Sequence, residues 1–321
     1  MTPEPEPRVL VIALGGNALQ RPEDDDSVEG DFRRTAETAR HLLPLVASGQ
    51  WRIVVTHGNG PQVGNHLLRS ELGHEHGDTP LLPLDVCVAD TQGGMGYMLQ
   101  QCLTNELLSA GLPAVAVSVV TQVLVDASDP AFESPAKPVG ETIPSHKVGE
   151  LERRGWTLVE DRGRRGWRRV VASPEPSEIV EAEAIRSLVA TGITVIAGGG
   201  GGIPVVQRAD GALSGVAAVV DKDLASALLA ADLGAAGLVI LTDVPRVAIG
   251  FGTPNEKPLS RMTLAEARGH MAAGEFPAGS MGPKVEAVCR FVEASGGTGV
   301  ITSIETCEDA VYGRAGTLVV P

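Results

Sequence analysis

Five lysines stand out in a chain that otherwise carries its positive charge on 21 arginines: Lys137, Lys147, Lys222, Lys257 and Lys284. A lysine ammonium is a compact charge on a flexible stem, whereas arginine presents a rigid planar fork. Lys222 lies in VVDKDLA, between Asp221 and Asp223, and Lys284 lies in GSMGPKVEA. Both fall where a helix is expected to begin. A cation is disfavoured at a helix N-terminus unless it serves a nearby anion, so two such lysines point to a shared phosphate. Lys137, in SPAKPVG, is a third lysine flanked by glycine and proline. A solvated surface position is the usual fate of lysine, and that reading is taken for Lys147 and Lys257.

Glycine supplies the second half of the pattern. Three apolar runs end in glycine-rich turns: Gly15-Gly16-Asn17, Gly58-Asn59-Gly60 and the five glycines at 198–202. Glycine lets backbone N–H groups approach an anion, and a helix starting just beyond adds partial positive charge. One such turn would read simply as a tight connection; three, each directly after an apolar run, favour anion binding. No GxxxxGK[ST], GxGxxG or GxSxG occurs, which removes P-loop, Rossmann-dinucleotide and α/β-hydrolase readings. His57 precedes the second glycine turn and is read as a supporting or purely structural residue. His74 and His76, in GHEHGD, imitate a metal pair. They lack a supporting cysteine or carboxylate cluster, so they are read as surface loop, and no metal ligand is assigned.

These residues need a frame. Apolar runs at 8–14, 53–56, 114–120, 193–197, 238–242 and 299–302, with a terminal TLVV, read as strands, most of them buried. Helical spacing is predicted over 33–48, from Pro61, and over 85–110, 177–191, 221–233, 263–273 and 283–295. Strands alternating with helices imply parallel pairing through crossover connections. In parallel α/β sheets ligands bind beyond the carboxyl ends of the strands, where the glycine turns lie. Residues 121–172 differ. They are rich in Pro, Asp, Glu and Arg and hold two of the three tryptophans, and they read as an inserted polar subdomain.

Composition sets the outer limits. The chain has 321 residues, 43% hydrophobic but only 3% aromatic, so its core is built from Val, Leu, Ile and Ala. That diet suits a parallel sheet covered on both faces. A net charge of −14 with no basic stripe argues against nucleic-acid binding. No apolar run is long enough for a membrane-spanning helix. The opening MTPEPEPR lacks the features of a signal peptide; residues 1–7 are expected to be a disordered lead-in to a cytoplasmic protein. Cys87, Cys102, Cys289 and Cys307 form no CxxC pair and are expected to be reduced and mostly buried. The acidic run at 23–26 is read as a solvated loop.

With these motifs in place, the sequence resembles the carbamate kinases of the amino acid kinase family. The resemblance is carried by VIALGGNAL (11–19), VVTHGNGPQVG (54–64), DTQGGMGYMLQQ (90–101), KPVG (137–140), GGGGIPVV (199–206), VVDKDLASALLA (219–230), VILTDV (239–244) and GSMGPKVEA (279–287). It covers nearly the whole chain from Arg8 onward. It implies a three-layer α/β/α sandwich around a mostly parallel eight-stranded sheet, with a small protruding subdomain, and a homodimer. The implied reaction is reversible phosphoryl transfer between carbamoyl phosphate and ADP, giving ATP and carbamate, with Mg²⁺ accompanying the nucleotide. By the same resemblance, Gly15, Gly16, Asn17, Gly58, Asn59 and Gly60 hold the acyl phosphate, and Lys137 reaches in from the subdomain. Lys222, Asp243, Met281, Pro283 and Lys284 serve the nucleotide, and Asp223 orients the lysines. Many relatives carry a lysine just before the first Gly-Gly; here Ile12-Ala13-Leu14 has none, which points away from acetylglutamate and UMP kinases. Ala248 and Thr253 stand where relatives often have an aromatic residue and a lysine. Two alternatives stay open at this point: a kinase for a different acyl phosphate, and a catalytically silent ligand sensor on the same fold.

Overall fold

The computed structural model describes residues 6–16, 19, 27–113, 115–161, 166–277 and 279–321. The chain begins with β1 (Arg8–Leu14), α1 (Val28–Ala47), β2 (Trp51–His57), α2 (Gly60–Gly77), α3 (Leu84–Ser109) and β3 (Ala116–Ser118). A strand-rich middle follows: β4 (Gln122–Val125), β5 (Lys137–Ile143), α4 (Val148–Arg153), β6 (Leu158–Asp161), β7 (Gly166–Val171) and β8 (Pro176–Ile179). Next come α5 (Ala182–Ala190), β9 (Thr194–Ile196), β10 (Ile203–Gln207), β11 (Leu213–Gly215), α6 (Lys222–Asp232) and β12 (Gly237–Leu241). The chain closes with β13 (Ala248–Ile249), β14 (Lys257–Pro258), β15 (Arg261–Thr263), α7 (Leu264–Ala272), α8 (Met281–Ser295), β16 (Thr298–Thr302), α9 (Cys307–Val311) and β17 (Thr317–Val320).

Eight strands form one sheet in the order β15-β17-β16-β12-β1-β2-β9-β3. Six run parallel; β17 turns back antiparallel to β16, and β15 follows β17. Strand alternation splits the core in two. Val11, Ala13, Val54, Leu238 and Ile240 face one way, into a cluster completed by residues of α5, α6 and α8. Leu10, Ile12, Leu14, Val55 and Val239 face the other way, against α1 and α3. The expected three-layer sandwich is thus the fold, and its strands are apolar on both faces because both are covered.

Register decides where the chemistry falls. Leu14 pairs with His57, and Ala13 with both Thr56 and Ile240. The turns after β1, β2 and β12 therefore emerge side by side at one edge. A Cβ on Gly15 would come within 2.7 Å of the Leu241 carbonyl oxygen, so only glycine lets the first turn lie this close to β12.

The middle of the chain forms two further sheets. One is β11-β10-β4-β8, so residues 122–125 join strands from either side of the polar segment. The other is the antiparallel set β5-β7-β6, which contains Lys137. Several element boundaries differ from the sequence reading. The strand predicted over 114–120 is regular only at Ala116–Ser118, because it forms the edge of the sheet beside β9 alone. The helix predicted from residue 177 starts at Ala182, since Pro176–Ile179 pairs with β4 and buries Ile179. His74 and His76 lie in the last turn of α2 rather than in a loop, although both are exposed. Residues 23–26 and most of the N-terminal lead-in lie outside the described residues. All four cysteines are buried and free.

Candidate active site

At the carboxyl edge of β1, β2 and β12 lies a cavity of about 490 Å³. Gly16, Gly58, Asn59 and Gly60 line it from the first two turns, and Gly200 from the third. Lys137, Lys222, Asp223, Asp243, Met281, Pro283 and Lys284 complete the set. Every described residue predicted for the site lines this cavity except Gly15, which lies behind Gly16 against β12. Asn17 lies outside the described residues.

Helix termini add partial positive charge to that of the lysines. The α2 helix opens directly on the second glycine turn, with Asn59 at its N-cap and Pro at its start. The Asn59 side chain does not cap it but donates to Thr91 Oγ1 at 3.0 Å. Ser280, at the N-cap of α8, likewise makes no side-chain cap. Two helix N-termini thus meet the cavity with backbone N–H groups not claimed by a capping side chain. The α6 helix is different: Asp221 Oδ1 accepts from the N–H groups of Asp223 at 2.9 Å and Leu224 at 3.4 Å.

The lysines fall into two arrangements. Asp223 sits between Lys222 and Lys284; its Oδ1 accepts from Lys222 Nζ, and its Oδ2 from Lys284 Nζ at 2.9 Å. Its side chain is only 4% exposed. Burial alone would raise the Asp223 pKa, but the two ammonium groups hold its carboxyl far below the usual carboxylate range. Burial pulls the Lys222 pKa down, and Asp223 opposes that pull. Across the cavity, Lys137 Nζ donates to Asp221 Oδ2 at 3.1 Å and to the Val220 carbonyl at 3.2 Å. Burial acts upward on Asp221, yet Lys137 leads the charges that hold its carboxyl below its ordinary value. Lys147 and Lys257 are exposed and away from this cavity.

His57 stands behind the second turn. Its Nδ1 lies 2.9 Å from the Gly58 carbonyl oxygen, which can only accept, so Nδ1–H is the donor. Burial, with Lys222 nearby, pushes its pKa down to about 4, so the ring is neutral at pH 7. It braces the loop without adding charge.

The sequence reading missed a layer beneath these groups. Gln92, buried in the middle of α3, donates to the carbonyls of Gly199 at 2.9 Å and Thr121 at 3.0 Å. Its Oε1 accepts from the Thr121 N–H at 2.8 Å. Gln92 therefore clamps the third glycine turn, several of whose residues are left-handed. The available signal was positional: Gln92 lies at helical spacing with Val88, Met95 and Leu99 on the buried face of α3. Asp221 was legible only as a neighbour of Lys222, and its pairing with Lys137 needed the fold. Arg246, Phe251 and Phe276 also line the cavity, and nothing in their spacing announced this.

Residues 8–303 match the amino acid kinase family. The chain is 46% identical over 313 residues to the carbamate kinase of Pyrococcus furiosus, covering 97% of this chain and 99% of that one. It is also 46% identical to the carbamate kinase-like protein YahI of Escherichia coli, over 97% and 98% of the two chains. Among solved structures, the carbamate kinase of Giardia lamblia bound to AMP-PNP is 41% identical and superposes with a TM-score of 0.89 over 98% of each chain. The chain belongs to the amino acid kinase family, in the group formed by the carbamate kinases and their close relatives. It is a phosphotransferase.

Proposed function

We infer that the protein is a carbamate kinase, which catalyses the reversible transfer of a phosphoryl group between carbamoyl phosphate and ADP to give carbamate and ATP. The observation that carries this reading is the buried Lys222–Asp223–Lys284 cluster facing Lys137 across a cavity rimmed by glycine turns. In the direction of ATP formation, an oxygen of the ADP β-phosphate attacks the phosphorus of carbamoyl phosphate. The bond from phosphorus to the acyl oxygen breaks, and carbamate leaves with its electron pair. The attacking oxygen is already ionised at neutral pH and carbamate leaves as a stable anion, so the step needs no general base or acid. What it needs is alignment and neutralisation of charge on the transferring group.

The helix N-termini and glycine N–H groups suit the acyl phosphate and the transferring phosphoryl, and Lys137 suits the acyl-phosphate end. Lys222 and Lys284 suit the nucleotide phosphates, and Asp223 keeps two like charges close together without mutual repulsion dominating. Asp243, Met281 and Pro283 border the nucleotide end. Mg²⁺ enters as part of the nucleotide substrate. Asp221 and Asp223 are both engaged by lysines, and a hard cation of this kind is commonly held by substrate phosphate oxygens and water. The polar segment around β5-β7-β6 acts as a subdomain that presents Lys137. A homodimer and a cytoplasmic location belong to the same reading; no described helix is long and apolar enough to cross a membrane.

The test is a coupled assay for ATP formed from MgADP and carbamoyl phosphate. ATP formation is expected. Its absence, with turnover of another acyl phosphate, would replace this reading with that of a related kinase, and absence of all turnover would favour the silent sensor.

A further inference from the structure

Lys137 is carried by β5, in a sheet separate from the one that carries the rest of the site. Something must set how far its ammonium reaches across. Two contacts do so. The first is between backbones: Gly64, one turn inside α2, packs on Gly140 of β5. A Cβ on Gly64 would overlap the N and Cα of Gly140 and stand 3.4 Å from the carbonyl carbon of Val139. A Cβ on Gly140 would lie 3.4 Å from the Gly64 Cα, and Gly140 has φ of +71°, a conformation that favours glycine. The regular β5–β7 pairing also breaks between Val139 and Ile143, so Gly140 lies where the strand bends. Val139, 2% exposed, packs in one cluster with Val63 and Leu67 of α2. The second contact is at the other end of the Lys137 side chain, where Asp221 accepts from its ammonium.

We propose that Gly64, through its contact with Gly140, and Asp221, through its ion pair, are positioning residues that fix Lys137 at the acyl-phosphate end of the cavity. The geometry makes this specific. Gly64 lies four residues beyond Gly60, on the helix whose N-terminus meets the cavity. Gly140 lies three residues beyond Lys137. Their contact therefore sets the spacing between the second glycine turn and the Lys137 ammonium directly. A methyl group at position 64 must push β5 outward, and a displacement of about 1 Å at a reacting centre costs on the order of 10²-fold in rate. Gly64 makes no contact with the Lys222–Asp223–Lys284 cluster, and Asp221 meets it through the backbone cap on the Asp223 N–H, an acceptor that an asparagine retains, so nucleotide binding should be spared.

This proposal rests on the carbamate kinase reading, and the wild-type assay tests that reading separately. For the proposal, Gly64→Ala is measured for kcat/KM with carbamoyl phosphate, for MgADP affinity by calorimetry and for Tm. The expected result is a loss of about 10²-fold in kcat/KM for carbamoyl phosphate, with MgADP affinity unchanged. Gly77→Ala, at the far end of the same helix and facing open space, should leave all three unchanged. Asp221→Asn keeps an acceptor for the α6 N–H groups but removes the charge partner of Lys137; about a tenfold loss with carbamoyl phosphate is expected. The decisive measurement is a double-mutant cycle. In a Lys137→Ala background, Gly64→Ala and Asp221→Asn should add little, because their effect passes through the lysine. Full additivity in that background, or an equal loss of MgADP affinity, would overturn the proposal. If Gly64→Ala does not fold, Gly140→Ala, whose Cβ would meet the Gly64 Cα at 3.4 Å, takes its place in the cycle.

Discussion

The two sides of the cavity hold their lysines by different means. On one side Lys222 and Lys284 share the buried carboxylate of Asp223, with side chains 14%, 17% and 4% exposed, respectively. Their helices start at the edge of a parallel sheet whose strands are covered on both faces. On the other side Lys137 pairs singly with Asp221, at 24% and 26% exposure, and is delivered by a small antiparallel sheet with polar residues on its outer face. Burial makes the first arrangement electrostatically strong and hard to alter. The second pair is only partly buried and holds a single ion pair, so its lysine can exchange a carboxylate for a substrate oxygen at smaller cost. The contrast fits a site that holds a nucleotide on one side and captures a small acyl phosphate on the other.

Four measurements test this contrast, and the largest effect is expected at Asp223. Asp223→Asn leaves two neighbouring ammonium groups in a desolvated position with no counter-charge. Loss of one partner from such a buried cluster costs about 3–5 kcal/mol, so a marked fall in Tm should accompany near-complete loss of turnover. A variant with wild-type Tm would show that the cluster is far less buried than its geometry indicates.

Comparing Lys284→Ala with Lys137→Ala comes next. Lys284→Ala should lower kcat by about 10²- to 10³-fold while the fold is kept. Lys137→Ala should act chiefly on carbamoyl phosphate, raising its KM by about tenfold or more and sparing MgADP affinity. Steady-state kinetics with each substrate varied would distinguish them, and identical profiles would erase the distinction between the two sides.

A smaller effect concerns His57. In the folded protein it takes up a proton only near pH 4, against about 6.5 when unfolded. Between those values the unfolded chain binds more protons, so stability falls as the pH drops from 6.5 to 4 and is unaffected by this group above 6.5. The full difference is about 3 kcal/mol. In His57→Gln, Tm plotted against pH should be flatter across that window; an unchanged slope would assign the acid sensitivity elsewhere.

The smallest effect should come from thiol reagents. No cysteine lines the cavity. Burial raises all four thiols, pushing Cys87 and Cys289 to about 11 and Cys307 to about 12. Native protein treated with iodoacetamide at pH 8 should keep full activity, since reaction requires the thiolate.

Much of the body side was readable in one dimension. VIALGG, VVTHGNG and VVDKDLA each place an apolar strand or a helix start next to residues that line the cavity, so local order already carries the candidate site. The Lys137 side was less readable. KPVG identifies the lysine, but its partner Asp221 is 84 residues further along the chain. Gln92 beneath the third glycine turn and Phe251 at the rim are distant in the same way. The short edge strand at Ala116–Ser118 and the strand at Pro176–Ile179 were also decided by neighbours, through pairing with β9 and β4.

The sequence by itself determined the repeated strand–turn–helix order, the placing of glycines at strand ends and the choice of lysine at three helix- or loop-adjacent positions. These follow from side-chain periodicity and backbone permissiveness, which act over a few residues. Only the tertiary structure decided that the turns after β1, β2 and β12 lie side by side, that one carboxylate serves Lys222 and Lys284, and that Gly64 meets Gly140. Strand register and interlayer packing set those distances, and both depend on contacts between residues far apart in the chain.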